Sequence, residues 1–184
     1  MLETIKLATK SHHSSVEKIL VRKLKNLSSK EDYARLLYQL YGFYHTVEAT
    51  VHSLVNSSTV PDIKQRKHVE NLKSDLNCLG LTVENIENPF AKTIDSISRA
   101  MGVLYVIEGS TLGGQIITLM LKKQIPSLNN NELSYFLSYG ERTMSMWSSF
   151  KSNYEIILTN IDENSVIEGA KETFEKLEIW LTKD

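Results

Sequence analysis

Cysteine is almost missing from this chain of 184 residues, where Cys78 stands alone. A single thiol excludes an internal disulfide and any cysteine-based metal cluster, and it fits a reducing compartment. Proline is nearly as scarce, at Pro61, Pro89 and Pro126, each between periodic segments that it separates without interrupting. No Lys/Arg run exceeds two residues and the formal net charge is −1, so nothing offers a phosphate-binding surface and nucleic acid is not an expected partner. The opening Met-Leu-Glu-Thr-Ile-Lys holds an early acid and no apolar stretch of signal-peptide length. Val103–Leu121 is the most apolar run, but Glu108, Gln115 and several glycines interrupt it, which suits a buried helix and not a membrane span. A cytoplasmic protein with no membrane partner is the expectation. No internal repeat or low-complexity tract is visible, and the length suits one domain over residues 1–184.

What the chain does have is glycine in an odd place. Gly102–Lys122 reads as a buried helix by length and apolar content, yet Gly109, Gly113 and Gly114 fall within it. Each costs roughly 1 kcal/mol relative to Ala in a helix interior, so the cluster needs a physical reason. A missing Cβ admits close approach by another backbone or a flat ligand, and it permits a bend. Ser110 and Thr111 favour the bend, because their hydroxyls can bond the carbonyls of the preceding turn. Two readings follow: close helix packing through Gly109-x-x-x-Gly113, or a bent helix laid across a planar cofactor. Spacing alone does not choose.

The rest of the chain has helical periodicity throughout, which predicts an all-α bundle of about six helices. The first covers Glu3–Leu27, with an apolar stripe at Val16, Leu20, Leu24 and Leu27. His12 and His13 precede Val16 by four and three positions, so either lies near the buried face and periodicity leaves both open. Glu17, one turn past His13, could hold one imidazole nitrogen protonated and leave the other for a metal. The second helix opens at Ser28–Glu31, a capping-box spacing, and buries a long stripe from Tyr33 to Leu54. His45, Glu48 and His52 lie along one side of it; the chain contains no Glu-x-x-His, the motif a carboxylate-bridged di-iron bundle requires, so they read as surface or core residues. A third helix, Asp62–Leu79, stops at Gly80, with His68 among charged residues and read as solvated. Thr82–Lys92 connects to the glycine-bearing helix. Asn131–Leu158 gives one or two helices broken at Gly140, with Trp147, Phe150 and Tyr154 on one stripe, and Asp162–Leu181 is the last helix.

Leu104-Tyr105-Val106-Ile107-Glu108-Gly109-Ser110-Thr111-Leu112-Gly113-Gly114 closely resembles the distal-helix motif of haem oxygenases, above all the bacterial, phytochrome-associated type. Ala8-Thr9-x-x-x-His13-x-x-x-Glu17 is similar to that family's proximal pattern, and Tyr41-Gly42-Phe43-Tyr44-x-x-x-Glu48 to its second helix. Asp75-Leu76-x-x-Leu79-Gly80 resembles the end of its third helix. Trp147-x-x-Phe150 and Ala170-x-x-Thr173-Phe174-x-x-Leu177-Glu178-x-Trp180-Leu181 resemble its C-terminal helices. The motifs are weak singly and strong together, because they come in family order across nearly the whole chain.

The resemblance implies a single-domain helical bundle with haem, both substrate and cofactor, between the N-terminal helix and the kinked glycine-rich one. It selects His13 as iron ligand, oriented by Glu17, and assigns Gly109, Ser110 and Gly113 to the catalytic face, with Gly109, Gly113 and Gly114 against the macrocycle. It also implies that the Ser110 hydroxyl donates a hydrogen bond on the distal side, and that Lys6 and Lys151, with Arg142 a lesser candidate, meet the haem propionates. Implied products are biliverdin, carbon monoxide and ferrous iron, made with O2 and electrons from an external reductase, ferredoxin or ascorbate. A bacterial phytochrome receiving biliverdin is a possible partner. Two rival readings remain at this level: a non-catalytic haem carrier or sensor on the same fold, and a haem-free helical enzyme such as a thiamine-salvage hydrolase, for which Cys78 is an unconvincing nucleophile.

Overall fold

The computed structural model describes residues 2–157 and 160–183. Among them lie eight α-helices and no strand: α1 (Leu2–Lys25), α2 (Lys30–Leu54), α3 (Val69–Cys78), α4 (Ile97–Ser110), α5 (Gly114–Gln124), α6 (Ser134–Leu137), α7 (Thr143–Ile157) and α8 (Glu163–Thr182). The all-α expectation holds. Leu158, the last residue of the segment read as Asn131–Leu158, lies outside the described residues, as do the two ends of the 1–184 span.

Two boundaries differ from the sequence reading for identifiable reasons. Ser29, not Ser28, caps α2, accepting from Asp32 N at 3.1 Å, while Ser28 N donates to Asp32 Oδ2 at 3.0 Å, so Asp32 and not Glu31 is the acid engaged, and it reaches past the cap to the residue before it. The segment read as one helix from Asp62 is a 3₁₀ turn at Ile63–Gln65 followed by α3. The helix is interrupted at Arg66, whose backbone leaves the helical region at φ −96 and ψ 65 while its fully buried side chain pairs with Asp62. The stop at Gly80 is as read, with φ +80.

α2 forms one wall of the core, burying Tyr33, Leu36, Leu37, Leu40, Phe43, Val47 and Val51. α8 runs between α1 and α4. It meets α4 backbone to backbone: a Cβ on Gly102 would come 2.1 Å from Val166 O, and one on Gly169 2.5 Å from Arg99 O. No side chain fits between these two helices, and Arg99 seals the crossing by pairing with Glu172 at 2.7 Å. α8 meets α1 through the edge of the His13 ring on Phe174, centroids 5.8 Å apart, and through His12 Nε2 and Glu175 Oε1 at 3.1 Å. Its far end is tied to α2, where Trp180 Nε1 donates to Gln39 O at 2.8 Å and Gln39 Nε2 donates to Trp180 O at 3.0 Å. This frame places α1 and α4 against the same helix, α8, while α1 also packs against α5.

Candidate functional site

The glycine-bearing segment is bent, as Ser110 and Thr111 led one to expect. α4 ends at Ser110, a 3₁₀ turn covers Thr111–Gly113, and α5 resumes at Gly114. Ser110 Oγ donates to Ile107 O at 2.6 Å and Thr111 Oγ1 donates to Glu108 O at 2.7 Å, so both hydroxyls compete with the helical ladder as such residues do. The Ser110 proton here points to Ile107 O, so its lone pairs are free to accept from water; donation toward the distal side, which the resemblance implies, requires the hydroxyl to turn.

The three glycines have different surroundings. A Cβ on Gly113 would meet nothing within 4 Å, and one on Gly109 would meet only the tip of Trp147, at 3.9 Å. Packing within the protein therefore requires neither. On Gly114 the same atom would come 1.8 Å from Phe136 O, so the absent side chain at 114 is explained by α6 crossing the backbone. The packing reading therefore applies at Gly114, and it leaves Gly109 and Gly113 unexplained.

α1 packs against α5, and at the C-terminal ends of the two helices Gln124 Nε2 donates to Lys25 O at 3.0 Å. At about 1.5 Å per residue His13 lies roughly 18 Å and Gly113 about 16 Å back along the chain from this tie. Apart from the tie no hydrogen bond, ion pair or ring contact links α1 to α4 or α5 among the described residues, and Leu7, Leu112, Ile116 and Leu119 are left exposed. Exposed apolar side chains on both α1 and the bend–α5 segment fit a large flat apolar ligand. Burial, and then the charge of Glu3, raise the Tyr105 phenol above its ordinary value.

The two histidines separate by their partners. His12 is half-buried and engaged with Glu175, whereas His13 is exposed, with Nδ1 3.9 Å from Glu17 Oε2 and no bond at Nε2. Glu17 is thus placed to keep the Nδ1 proton while Nε2 stays free for a metal. The chemistry of this donor set and the bare surface of Gly109 and Gly113 fit a haem. Lys6 is exposed and loosely paired with Glu3 at 3.5 Å; Lys151 is half-buried on α7 and Arg142 exposed just before it.

Behind the bend lies a polar cluster that the sequence reading missed. Arg66 donates through Nε and Nη2 to Asp62 at 2.8 and 2.7 Å and through Nη2 to Met146 O at 3.0 Å, and its Nη1 pairs with Glu108. Burial opposes the Arg66 cation, but its bonds to Asp62 and the charge of Glu108 outweigh that and hold its pKa up. His68, read as solvated, is buried: its Nε2 donates to Glu108 Oε1 at 2.9 Å, and its backbone N donates to Glu48 Oε2 at 2.8 Å. Tyr139 OH donates to Glu108 Oε1, also at 2.9 Å. Desolvation raises the Glu48 carboxyl, only partly offset by His68 and two backbone donors. The single clue in the sequence was Glu108, an acid alone in an apolar run, which cannot be buried unpaired.

A protein-family model described as "Heme oxygenase" matches residues 1–183. Among curated relatives, a heme oxygenase of Xanthomonas campestris pv. campestris is 32% identical over 149 residues, 78% of this chain and 85% of the relative. Heme oxygenase PigA of Pseudomonas aeruginosa is 26% identical over 176 residues, 95% and 87% of the two chains. Two solved structures share the fold. The NO- and CO-bound heme oxygenase of Neisseria meningitidis superposes with a TM-score of 0.78 at 21% identity, covering 97% of this chain and 88% of its own. Heme oxygenase from Leptospira interrogans gives 0.78 at 15% identity, covering 97% and 96%.

Proposed function

Since the chain belongs to the haem oxygenase family, and is an enzyme that cleaves haem to biliverdin, carbon monoxide and ferrous iron, we propose that the gap between His13 and Gly113 is where haem binds. The observation carrying this is the free Nε2 of His13 together with the bare glycine surface of Gly113, at similar chain distances from the tie between Lys25 and Gln124. Bound haem supplies the iron that activates dioxygen and the meso carbon that is oxidised.

The chain's own residues do the rest. His13 Nε2 would hold the iron, and Glu17, 3.9 Å from Nδ1, would close on that nitrogen and orient the ring. Gly109 and Gly113 leave the other face without side chains, so that a small bent ligand has room and is not pushed off by a methyl. Ser110 Oγ, its proton committed to Ile107 O, accepts from an ordered water and so turns that water's other proton toward the gap. Leu7, Leu112, Ile116 and Leu119 exclude bulk water from the macrocycle edge. Lys6 and Lys151 meet the propionates as point charges, without the bidentate fork of arginine. Electrons enter from outside, from a reductase, a ferredoxin or ascorbate, and the reaction serves iron acquisition through the released iron or supplies biliverdin to a phytochrome. The setting proposed is cytoplasmic.

Titration of the apoprotein with hemin, followed by ascorbate, tests this. The expected result is one equivalent of hemin bound with an imidazole-ligated spectrum, then loss of the Soret band as a biliverdin absorbance grows. A stable ferrous complex with no bile-pigment band would overturn the assignment of turnover to this site.

A further inference from the structure

Ser138 has φ +48 and ψ −115, a conformation that favours glycine and that is the one positive φ outside glycine among the described residues. Its Oγ is buried with no hydrogen-bond partner. Backbone strain and an orphaned hydroxyl in one residue are two local costs, and neither brings a local return. The return lies one residue on. The turn aims Tyr139 inward, where its hydroxyl lies 2.9 and 3.1 Å from the two Glu108 oxygens and 3.1 Å from His68 Nε2.

Glu108 is the residue before Gly109, and it is gripped from both sides. Its backbone carbonyl accepts from Thr111, which sets the bend, while its carboxylate accepts from Arg66, His68 and Tyr139. Arg66 in turn holds Met146 O on α7, next to Trp147, whose ring is what a Cβ on Gly109 would touch. The same cluster therefore fixes the last turn of α4 and the floor beneath Gly109. The other ionisable groups around it are Asp62 on the Arg66 turn and Glu48 and His52 on α2, where His52 Nε2 donates to Arg66 O at 2.9 Å. Tyr139 remains a donor throughout, since burial and the adjacent Glu108 push its phenol upward.

Building on the haem-site reading, we propose that Tyr139 is a positioning residue: its hydroxyl closes the buried clasp on Glu108 and thereby sets where Gly109 and Gly113 stand relative to His13. The Arg66 side chain holds three groups on three segments, Asp62, Glu108 and Met146 O, so its loss would disturb the whole fold. The Tyr139 hydroxyl is a single oxygen whose removal leaves the ring's shape intact, which isolates the clasp.

The test uses Tyr139→Phe in the full chain. In the haem-free protein, the amides of residues 107–113 should exchange with solvent about tenfold faster, the loss of one bond to a charged acceptor. In the ferric hemin complex, the pH midpoint of the acid–alkaline spectral transition should move by about half a unit or more, because a displaced bend changes the polar surroundings of the distal side. A purely structural tyrosine would lower the melting temperature and leave that midpoint in place. Ser138→Gly, which relieves the strained φ and keeps the hydroxyl, should melt higher with wild-type exchange and midpoint. Glu108→Gln loosens the same bond from the other partner and should reproduce the faster exchange if Tyr139→Phe does not fold. Wild-type exchange and midpoint in Tyr139→Phe, or a Ser138→Gly midpoint displaced like that of Tyr139→Phe, would overturn the proposal. A chain that takes up no hemin would sink the site reading while leaving the apoprotein exchange result standing, so the two failures are distinguishable.

Discussion

Alanine placed at Gly113 and, separately, at Gly114 should have opposite effects on the empty protein and on haem uptake. Gly113 has helical dihedrals, φ −83 and ψ −12, and nothing within 4 Å of an added Cβ. Alanine there restricts the unfolded chain and strains nothing, which stabilises the fold by about 0.5–1 kcal/mol and raises the apoprotein melting temperature by about 1–4 °C in a chain of this size. At Gly114 the new methyl would come 1.8 Å from Phe136 O, where ordinary contact begins at 3.4 Å. The obstacle is backbone held by α6, whose N-terminus is pinned by Asp75 at 2.8 Å to both Ser134 N and Tyr135 N. It cannot swing aside as a side-chain tip would, so overpacking of about 1–3 kcal/mol or more is expected and the melting temperature falls by several degrees.

Haem uptake should rank the variants in reverse. With haem bound as proposed, a methyl at Gly113 would collide with the macrocycle, at a cost on the order of 1–3 kcal/mol, or about 5- to 150-fold in Kd. Calorimetric melts of the apoproteins and hemin titrations by absorbance measure both quantities. A Gly113→Ala protein that binds hemin and turns it over like wild type would refute the placement of haem against this glycine, whatever its stability. A Gly114→Ala protein with an unchanged melt would refute the packing account of its neighbour.

Three further outcomes follow from the same geometry. His13→Ala should lose the imidazole-ligated hemin spectrum while His12→Ala, which removes only a half-exposed contact to Glu175, keeps it; absorption and resonance Raman spectra decide, and the reverse result moves the ligand by one residue. Lys6→Ala and Lys151→Ala should each speed hemin loss to a scavenging apoglobin a few-fold, roughly the 0.2–1 kcal/mol of an exposed ion pair, and the effect should shrink in high salt. Equal rates at low salt would remove these lysines from the propionates. Glu48→Gln should stabilise the apoprotein in a pH-dependent way. Burial raises the Glu48 pKa in the folded state above the ordinary 4.5, so its contribution to stability is present at acid pH and is lost as pH rises through the folded value. The variant should thus melt near wild type below the ordinary carboxylate value and above it at neutral pH, and a constant difference across a pH series of melts would contradict this.

Local rules reached far into this fold and stopped at identifiable places. Helical periodicity gave the elements, Gly80 gave a stop, and the Ser110–Thr111 pair gave the bend, because each depends on interactions within four residues. The cap of α2 came out one residue early because Ser28 and Ser29 both satisfy the pattern, and only geometry shows Asp32 accepting from the first while donating its N–H to the second. His68 was misread for the opposite reason. Its sequence neighbours Lys67 and Glu70 are solvated, but its ring partners, Glu108 and Tyr139, come from 40 and 71 residues away, and no periodicity encodes a contact at that separation. The proposed facing of His13 and Gly113 is of the same kind. Its support is one tie far from either residue, Gln124 to Lys25, and the similar lengths of chain leading back from it. Were the two faces set in register this way, the residues that do the chemistry would need no contact with each other, and such a site would tolerate the modest identity seen among its relatives, provided that the tie holds and the two helices stay apart. In that arrangement the clasp at Glu108 would keep one helix in place and the α8 contact through Phe174 the other.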